Sequence, residues 1–339
     1  MELPAPRPMS EYRDVDVATF REVIRPAAQP AVMRGLAADW PAVAAARRSD
    51  EDFVAYVRRF MTGRAYGTII GPPEIEGRFL YNDDLTSLNF QRGTSNLSDF
   101  FDFMLRDRGN PRPHAVAVQS EHIPGILPGF EQENRIDLLS ADVVPRAWIG
   151  NRLRVAPHYD LMENIGVVVA GRRSFIMFPP DQLKNLYAGP LELTPAGTPV
   201  SLVDPLNPDL DRFPRFAEAM KFARAAVLEP GDAIYMPFHW WHGIDSLEPI
   251  NLFVNYWWND RRPETGNPYA ALIHALYAIK SLPADQREVW RGEFEHYIFS
   301  ANGDPGEHLP PHARGMLGEL DAEQLGRLRA TLRQIMERI

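Results

Sequence analysis

The stretch APHYDLMENIGVVVAGRRSFIMFPP, Ala156 to Pro180, sets a His-x-Asp, an asparagine and a pair of arginines among β-branched and aromatic residues. On an extended strand, residues two apart point to the same face. His158 and Asp160 can therefore offer an imidazole and a carboxylate to one point without special backbone. Asn164 lies six residues after His158 and falls on that face as well if the strand runs on. The arginines of Gly171–Ser174 open the next strand beside this apolar surface. With side chains alternating, Arg173 turns inward and Arg172 toward solvent. A buried guanidinium without an anionic partner costs several kcal/mol, so an inward Arg173 calls for a carboxylate, which an arginine fork binds in bidentate fashion.

Working outward, the same texture recurs from about His114 to Trp258. AVAVQ, RAWIG, RSFIMF, AAVLEPGDAIYMP, WHGIDS and INLFVNYWW are short runs rich in Val, Ile, Phe, Tyr and Trp, separated by Gly, Pro, Asn and Asp. Such spacing predicts an antiparallel sandwich or barrel rather than alternating βαβ units. EPGD, Glu229–Asp232, reads as a tight hairpin turn. Before this region, a strand over Ala31–Arg34 leads through Gly35 to a helix, and a second helix is expected near Asp50–Arg59. A hairpin through Glu76-Gly77 and a helix capped by Ser98 follow. Beyond Pro263 the pattern is helical, and Leu325, Leu328, Leu332, Ile335 and Ile339 form one stripe behind an N-cap at Asp321. The expected organisation is flanking helices and strands over 1–110, a β core over 111–262 and a helical segment over 263–339.

The 339 residues include no cysteine, which excludes disulfides, iron–sulfur ligation and thiolate nucleophiles. Any metal must then be held by His, Asp or Glu. The net charge of −9 argues against DNA and general nucleic-acid binding. The first thirty residues carry acids and prolines without an apolar h-region, and no run of eighteen apolar residues occurs, so neither a signal peptide nor a membrane span is expected. The expectation is a cytoplasmic protein. For His158 and Asp160 a third ligand must come from elsewhere, and YMPFHWWHGIDS offers His239 or His242. Two histidines and one carboxylate on one face, with further positions open, make the triad of non-haem Fe(II) oxygenases.

Five motifs in order, GN…APHYD…EN, GRRSFIMFPPDQLKNLY, NPDLDRFPRF, PGDAIYMPFHWWHGIDS and FVNYWW, carry a wider likeness. From about Trp148 to Asp260 the chain resembles the JmjC and cupin-like (cupin 8) dioxygenases that use Fe(II), 2-oxoglutarate and O2. Within them it is similar to the asparaginyl hydroxylase that inhibits the hypoxia-inducible factor. The resemblance implies a double-stranded β-helix (jelly-roll) core, mainly β with flanking helices. It implies His158, Asp160 and His242 as catalytic metal ligands, with Asn164, Arg173 and Asn255 at the co-substrate. It sets Gln119 and Trp257 near the substrate, and it implies a homodimer through the C-terminal helices. Arg173 stands where the hydroxylase has lysine, and two of its hydroxyl contacts are missing because Val155 and Ala117 replace a threonine and a tyrosine. The implied reaction is hydroxylation of a protein or peptide side chain, with succinate and CO2 as co-products. A small-molecule hydroxylase and a non-catalytic cupin-like binding protein are the alternatives.

Overall fold

Two four-stranded antiparallel sheets that exchange the chain at almost every turn form the centre of the molecule. A computed structural model describes residues 3–262 and 265–337. Pro263, where the helical segment is expected to begin, and Ile339, the last residue of the expected stripe, lie outside the described residues. The strands are β1 (Arg7–Pro8), β2 (Ser10–Arg13), β3 (Ala31–Arg34), β4 (Ala65–Gly71), β5 (Arg78–Phe79), β6 (Gln91–Asn96), β7 (Ala115–His122) and β8 (Pro145–Gly150). They continue as β9 (Arg154–His158), β10 (Glu163–Ala170), β11 (Arg173–Phe178), β12 (Arg224–Leu228), β13 (Ala233–Met236), β14 (Trp241–Ser246) and β15 (Asn251–Trp258). One sheet runs β1-β12-β11-β14-β9-β5, the other β2-β3-β13-β10-β15-β8-β7-β4-β6. From β8 to β15 the chain alternates between them, except that β11 and β12 are neighbours in one sheet. This is a jelly roll, and the early strands extend both of its sheets.

The sequence explains why the central strands are buried on both faces. Along β10, Ile165, Val167 and Val169 pack outward with the helices, among Phe53, Val57, Phe101 and Met104. Val168 turns the other way, into the space between the sheets, with Phe175, Met177, Ile234, Met236 and Phe253. A strand covered on both sides reads as a continuous apolar run, as NIGVVVA does. The outer layer consists of α1 (Pro41–Arg48), α2 (Asp50–Arg58) and α3 (Leu97–Asp107). Burying side chains such as Phe53 and Phe101 contributes roughly 1.5–3 kcal/mol each.

Three local expectations are corrected. No hairpin forms through Glu76-Gly77: β4 pairs with β6 and β7, while β5 lies parallel to β9 in the other sheet. Pro72 and Pro73 supply no N–H for a ladder, and Glu76 and Gly77 both take left-handed backbone. A Cβ on Gly77 would stand 2.7 Å from the Arg152 carbonyl, so the chain can cross there only as glycine. EPGD likewise joins two sheets rather than one hairpin. Asp232 closes that turn by accepting from Glu229 N at 3.1 Å and pairing with Arg34 at 2.6 Å. The α3 cap is Asn96, which accepts from Asp99 N at 2.9 Å, and Ser98 Oγ instead accepts from Arg58.

The chain divides into two compact units, Met1–Asn259 and Asp260–Ile339. The second holds α4 (Pro268–Ile279), α5 (Ala284–Tyr297) and α6 (Ala322–Met336). Asn267 caps α4, and Asp321 with Gln324 forms a full capping box on α6. In α6, Leu325 and Leu328 are half-buried and Leu332 and Ile335 exposed. No helix among the described residues is long and apolar enough to cross a membrane.

Candidate metal centre

Cross-strand register builds the site. β9 and β14 pair so that His158 lies directly opposite His242, with an irregularity between His242 and Ile244. Bulges of this kind re-aim side chains beside functional sites. The two imidazole centroids are 4.4 Å apart, and both rings are buried. Asp160 follows two residues beyond the end of β9, and its Oδ2 lies 3.6 Å from His242 Nε2. Ligand atoms of His158, Asp160 and His242 all fall within 4.8 Å of one another. Asn164 reaches the same cavity by a different route than strand parity implies. The chain leaves β9, crosses between sheets and re-enters as β10, so His158 and Asn164 face each other from opposite sheets.

The electrostatics favour a metal. His158 Nδ1 pairs with the Ala156 carbonyl and His242 Nδ1 with the Trp240 carbonyl, each at 3.0 Å. A carbonyl only accepts, so the proton sits on Nδ1 in both rings and each Nε2 keeps its lone pair. Burial, and after it the neighbouring His242, holds His158 well below the usual histidine range, with Asp160 and the Ala156 carbonyl opposing. Two imidazoles and one carboxylate form a donor set consistent with Fe(II). His239 stands apart: it stacks on Tyr159 at 4.7 Å and takes left-handed backbone, and only its backbone N–H reaches Asp160.

The cavity has a volume of about 270 Å³ and is lined by His158, Asp160, His242, Asn164, Asn255, Arg173, Gln119 and Trp257 among others. The structure thus brings every site residue of the sequence reading to one space. Val155 lines it too, while Ala117 packs in a neighbouring cluster with Ile69 and Phe79. Arg173 is 6% exposed, its guanidinium lies 4.8 Å from the Phe253 ring, and its Nε is buried without a hydrogen-bond partner. Among the described residues its hydrogen bonding is limited to a long 3.5 Å donation from Nη2 to the Trp148 carbonyl. Burial pulls its pKa below the ordinary arginine value. Arg172 behaves differently, pairing with Glu248 at 2.7 Å on the surface.

Sequence reading missed one member of the site, Trp148, and the contact that another, Trp257, makes. Trp148 donates its indole N–H to Asn255 Oδ1 at 2.7 Å, and Trp257, expected near the substrate, donates to Asp160 Oδ2 at 3.0 Å. Parity on β15 carries half of that signal, because Phe253, Asn255 and Trp257 share a face. The missing half is Trp148, which only the β8–β15 register sets opposite Phe253. Gly166 was also passed over: a Cβ there would come 1.9 Å from Phe253, so this glycine makes room for the ring on which Arg173 rests.

The profile of the family described as "Cupin-like domain" matches residues 17–263. The chain is 29% identical over 157 residues to the HSPB1-associated protein 1 homolog of Danio rerio, covering 45% of this chain and 34% of that protein. It is 34% identical over 105 residues to lysine-specific demethylase JMJ31 of Arabidopsis thaliana, 31% of this chain and 19% of the other. It is 29% identical over 153 residues to tRNA wybutosine-synthesizing protein 5 of Gallus gallus, 41% of this chain and 45% of the other. The matched region spans less than half the length of each of these relatives.

Proposed function

Because the chain belongs to the cupin-like domain family, we propose that it is an Fe(II)- and 2-oxoglutarate-dependent dioxygenase. The reaction is hydroxylation of a C–H bond on a protein or peptide side chain, with succinate and CO2 formed from the co-substrate. The observation that carries this reading is the pairing of two ends in one cavity. One end is the His158, Asp160 and His242 cluster; the other is a buried arginine with no carboxylate partner among the described residues. A linear dicarboxylate is the ligand that satisfies both.

His158, Asp160 and His242 would hold the iron, which when bound supplies the activation of O2. The remaining tasks belong to the chain. Arg173 anchors the far carboxylate of 2-oxoglutarate through its uncommitted N–H groups. Asn164 and Asn255 offer amide N–H groups nearer the metal cluster. Phe253, Met236, Ile244 and Val155 exclude water from the cavity, which strengthens each polar contact inside it. Gln119 and Trp257 line the same cavity, where a substrate side chain would enter. The sequence motifs that resemble the asparaginyl hydroxylase are the ground for proposing a protein substrate, while the demethylase and the tRNA wybutosine-synthesizing relative mark how far substrates vary among similar chains. The exposed apolar residues of α4, α5 and α6, Tyr277, Trp290, Leu332 and Ile335 among them, support a homodimer through this segment.

The test is succinate formation from 2-oxoglutarate with Fe(II), wild type against Asp160→Ala. Turnover that survives Asp160→Ala overturns the assignment. A second reading, a cupin-like protein that binds a small acid without catalysis, is favoured by Val155 and Ala117, which supply no hydroxyl to the co-substrate. Binding of 2-oxoglutarate with Mn(II) in the absence of any succinate formation under Fe(II) would select it.

A further inference from the structure

Four hydrogen bonds link two indoles to the metal-cluster carboxylate. Trp148 Nε1–H donates to Asn255 Oδ1 at 2.7 Å; Asn255 Nδ2 donates to Asn164 Oδ1 at 3.1 Å. Asn164 Nδ2 donates in turn to Asp160 Oδ2 at 2.8 Å, and Trp257 Nε1–H donates to the same oxygen at 3.0 Å. The ends of this chain have no freedom. An indole N–H can only donate and an ionised carboxylate can only accept. The two amides between them therefore have one arrangement, each with its oxygen toward Trp148 and its nitrogen toward Asp160. Each Nδ2 carries two hydrogens, and one of each is used.

Resting on the oxygenase reading above, we infer that Trp148 and Trp257 are positioning residues. Trp257 holds the Asp160 carboxylate in its metal-facing place. Trp148 sets the sign of hydrogen bonding along Asn255 and Asn164, so that both amides turn N–H rather than C=O toward the cavity. With Arg173 at the other end, the lining then offers donors at both ends, which suits an anionic, acceptor-rich ligand. Were either amide reversed, a carbonyl oxygen would face that ligand's carboxylate.

Trp257 is itself fixed from two sides. The Arg146 guanidinium lies 5.2 Å over its ring, and Trp148 meets it edge-on at 5.8 Å. Arg146 is pinned by Ser120, whose carbonyl accepts at 2.9 Å and whose hydroxyl lies at 3.1 Å. Ser120 takes left-handed backbone (φ 56°), at an irregularity in β7 between Val118 and Glu121. A non-glycine residue held there costs on the order of 1–3 kcal/mol and recurs where a site needs preorganisation.

The experiment titrates Mn(II) into the full-length chain by calorimetry, and then 2-oxoglutarate into the Mn(II)-loaded protein without turnover. Trp257→Phe and Trp148→Phe are compared with Trp258→Phe. Trp258 belongs to the same strand but rests on Phe20 and Tyr235, so its loss reports packing alone. Trp257→Phe is expected to weaken Mn(II) binding about 10–100-fold, the range for partners that orient a metal ligand. Trp148→Phe should weaken Mn(II) less than Trp257→Phe does, and 2-oxoglutarate by roughly 10-fold, the effect of about one hydrogen bond. Trp258→Phe should lower Tm with both affinities within about twofold of wild type, less than the loss of one hydrogen bond. Mn(II) affinity of Trp257→Phe within that margin of wild type, or equal loss in Trp258→Phe, overturns the inference alone. Failure of the wild type to bind Mn(II) overturns the oxygenase reading together with it.

Discussion

The two ends of the cavity are built on opposite plans. At the metal end each side chain is held by at least one hydrogen bond: both histidines to backbone carbonyls, and Asp160 to Asn164 and Trp257. At the other end, Arg173 is buried against Phe253 with its Nε unsatisfied. A satisfied network is rigid before any ligand arrives. An unsatisfied buried cation instead stores a cost that an anion relieves on binding. One end is preorganised, and the other is poised.

The sharpest way to break this contrast is Asp160→Ala. It removes a metal ligand and leaves the Trp257 and Asn164 donors unpaired, so Mn(II) affinity should fall by more than the ~100-fold upper range for outer partners. The metal-free protein should also lose roughly 1–3 kcal/mol, the cost of unpaired buried donors. Titration calorimetry and thermal unfolding read both losses. Arg173→Met should behave oppositely in the absence of ligand. Affinity for 2-oxoglutarate should drop about 100-fold as charge-assisted bonds are lost. The ligand-free protein, relieved of a buried unpaired charge, should gain about 1 kcal/mol or more. A lower Tm for Arg173→Met would show that the arginine is not poised at all.

Gly166→Ala sharpens the difference between the ends. The new methyl would collide with Phe253, so overpacking should cost about 1–3 kcal/mol. Binding of 2-oxoglutarate should weaken while Mn(II) affinity holds, because Phe253 lies against the Arg173 guanidinium. The smallest effect is that of pH on the metal-free protein. His158 is held below its unfolded value of 6.5 by burial, so the unfolded chain binds more protons as pH falls below 6.5. Stability should therefore fall on acidification, with a slope of up to ~1.4 kcal/mol per pH unit for one proton. Bound Mn(II) should keep or steepen that slope, because a metal on His158 keeps the proton off the folded state while the unfolded chain still takes it up; unfolding curves from pH 7 to 5 with and without metal check it.

Much of this was legible along the chain, for identifiable reasons. The strands of the jelly roll are short, β-branched and separated by turn residues, so their existence follows from local pattern. Arg173 and not Arg172 turns inward because side chains alternate on any strand. What pattern missed involves pairing between distant segments. Glu76-Gly77 looks like a hairpin until β5 is seen beside β9 rather than β4. Asp232 looks like a hairpin residue until its turn is seen joining two sheets. Trp148 carries no signal along the chain, because its indole N–H meets Asn255 more than a hundred residues away.

The sequence by itself determined the chemistry available: no thiolate, one His-x-Asp, a third histidine beside paired tryptophans, and an arginine with the right parity. Only the tertiary structure decided how these groups are held. The opposition of His158 and His242 comes from the β9–β14 register, and the placement of Asn164 from the crossing between sheets. The direction of the hydrogen-bond chain comes from an indole at one end and a carboxylate at the other. Residue type sets what a side chain can donate or accept; which partner it meets depends on contacts between segments far apart in the chain, and those arise only on folding.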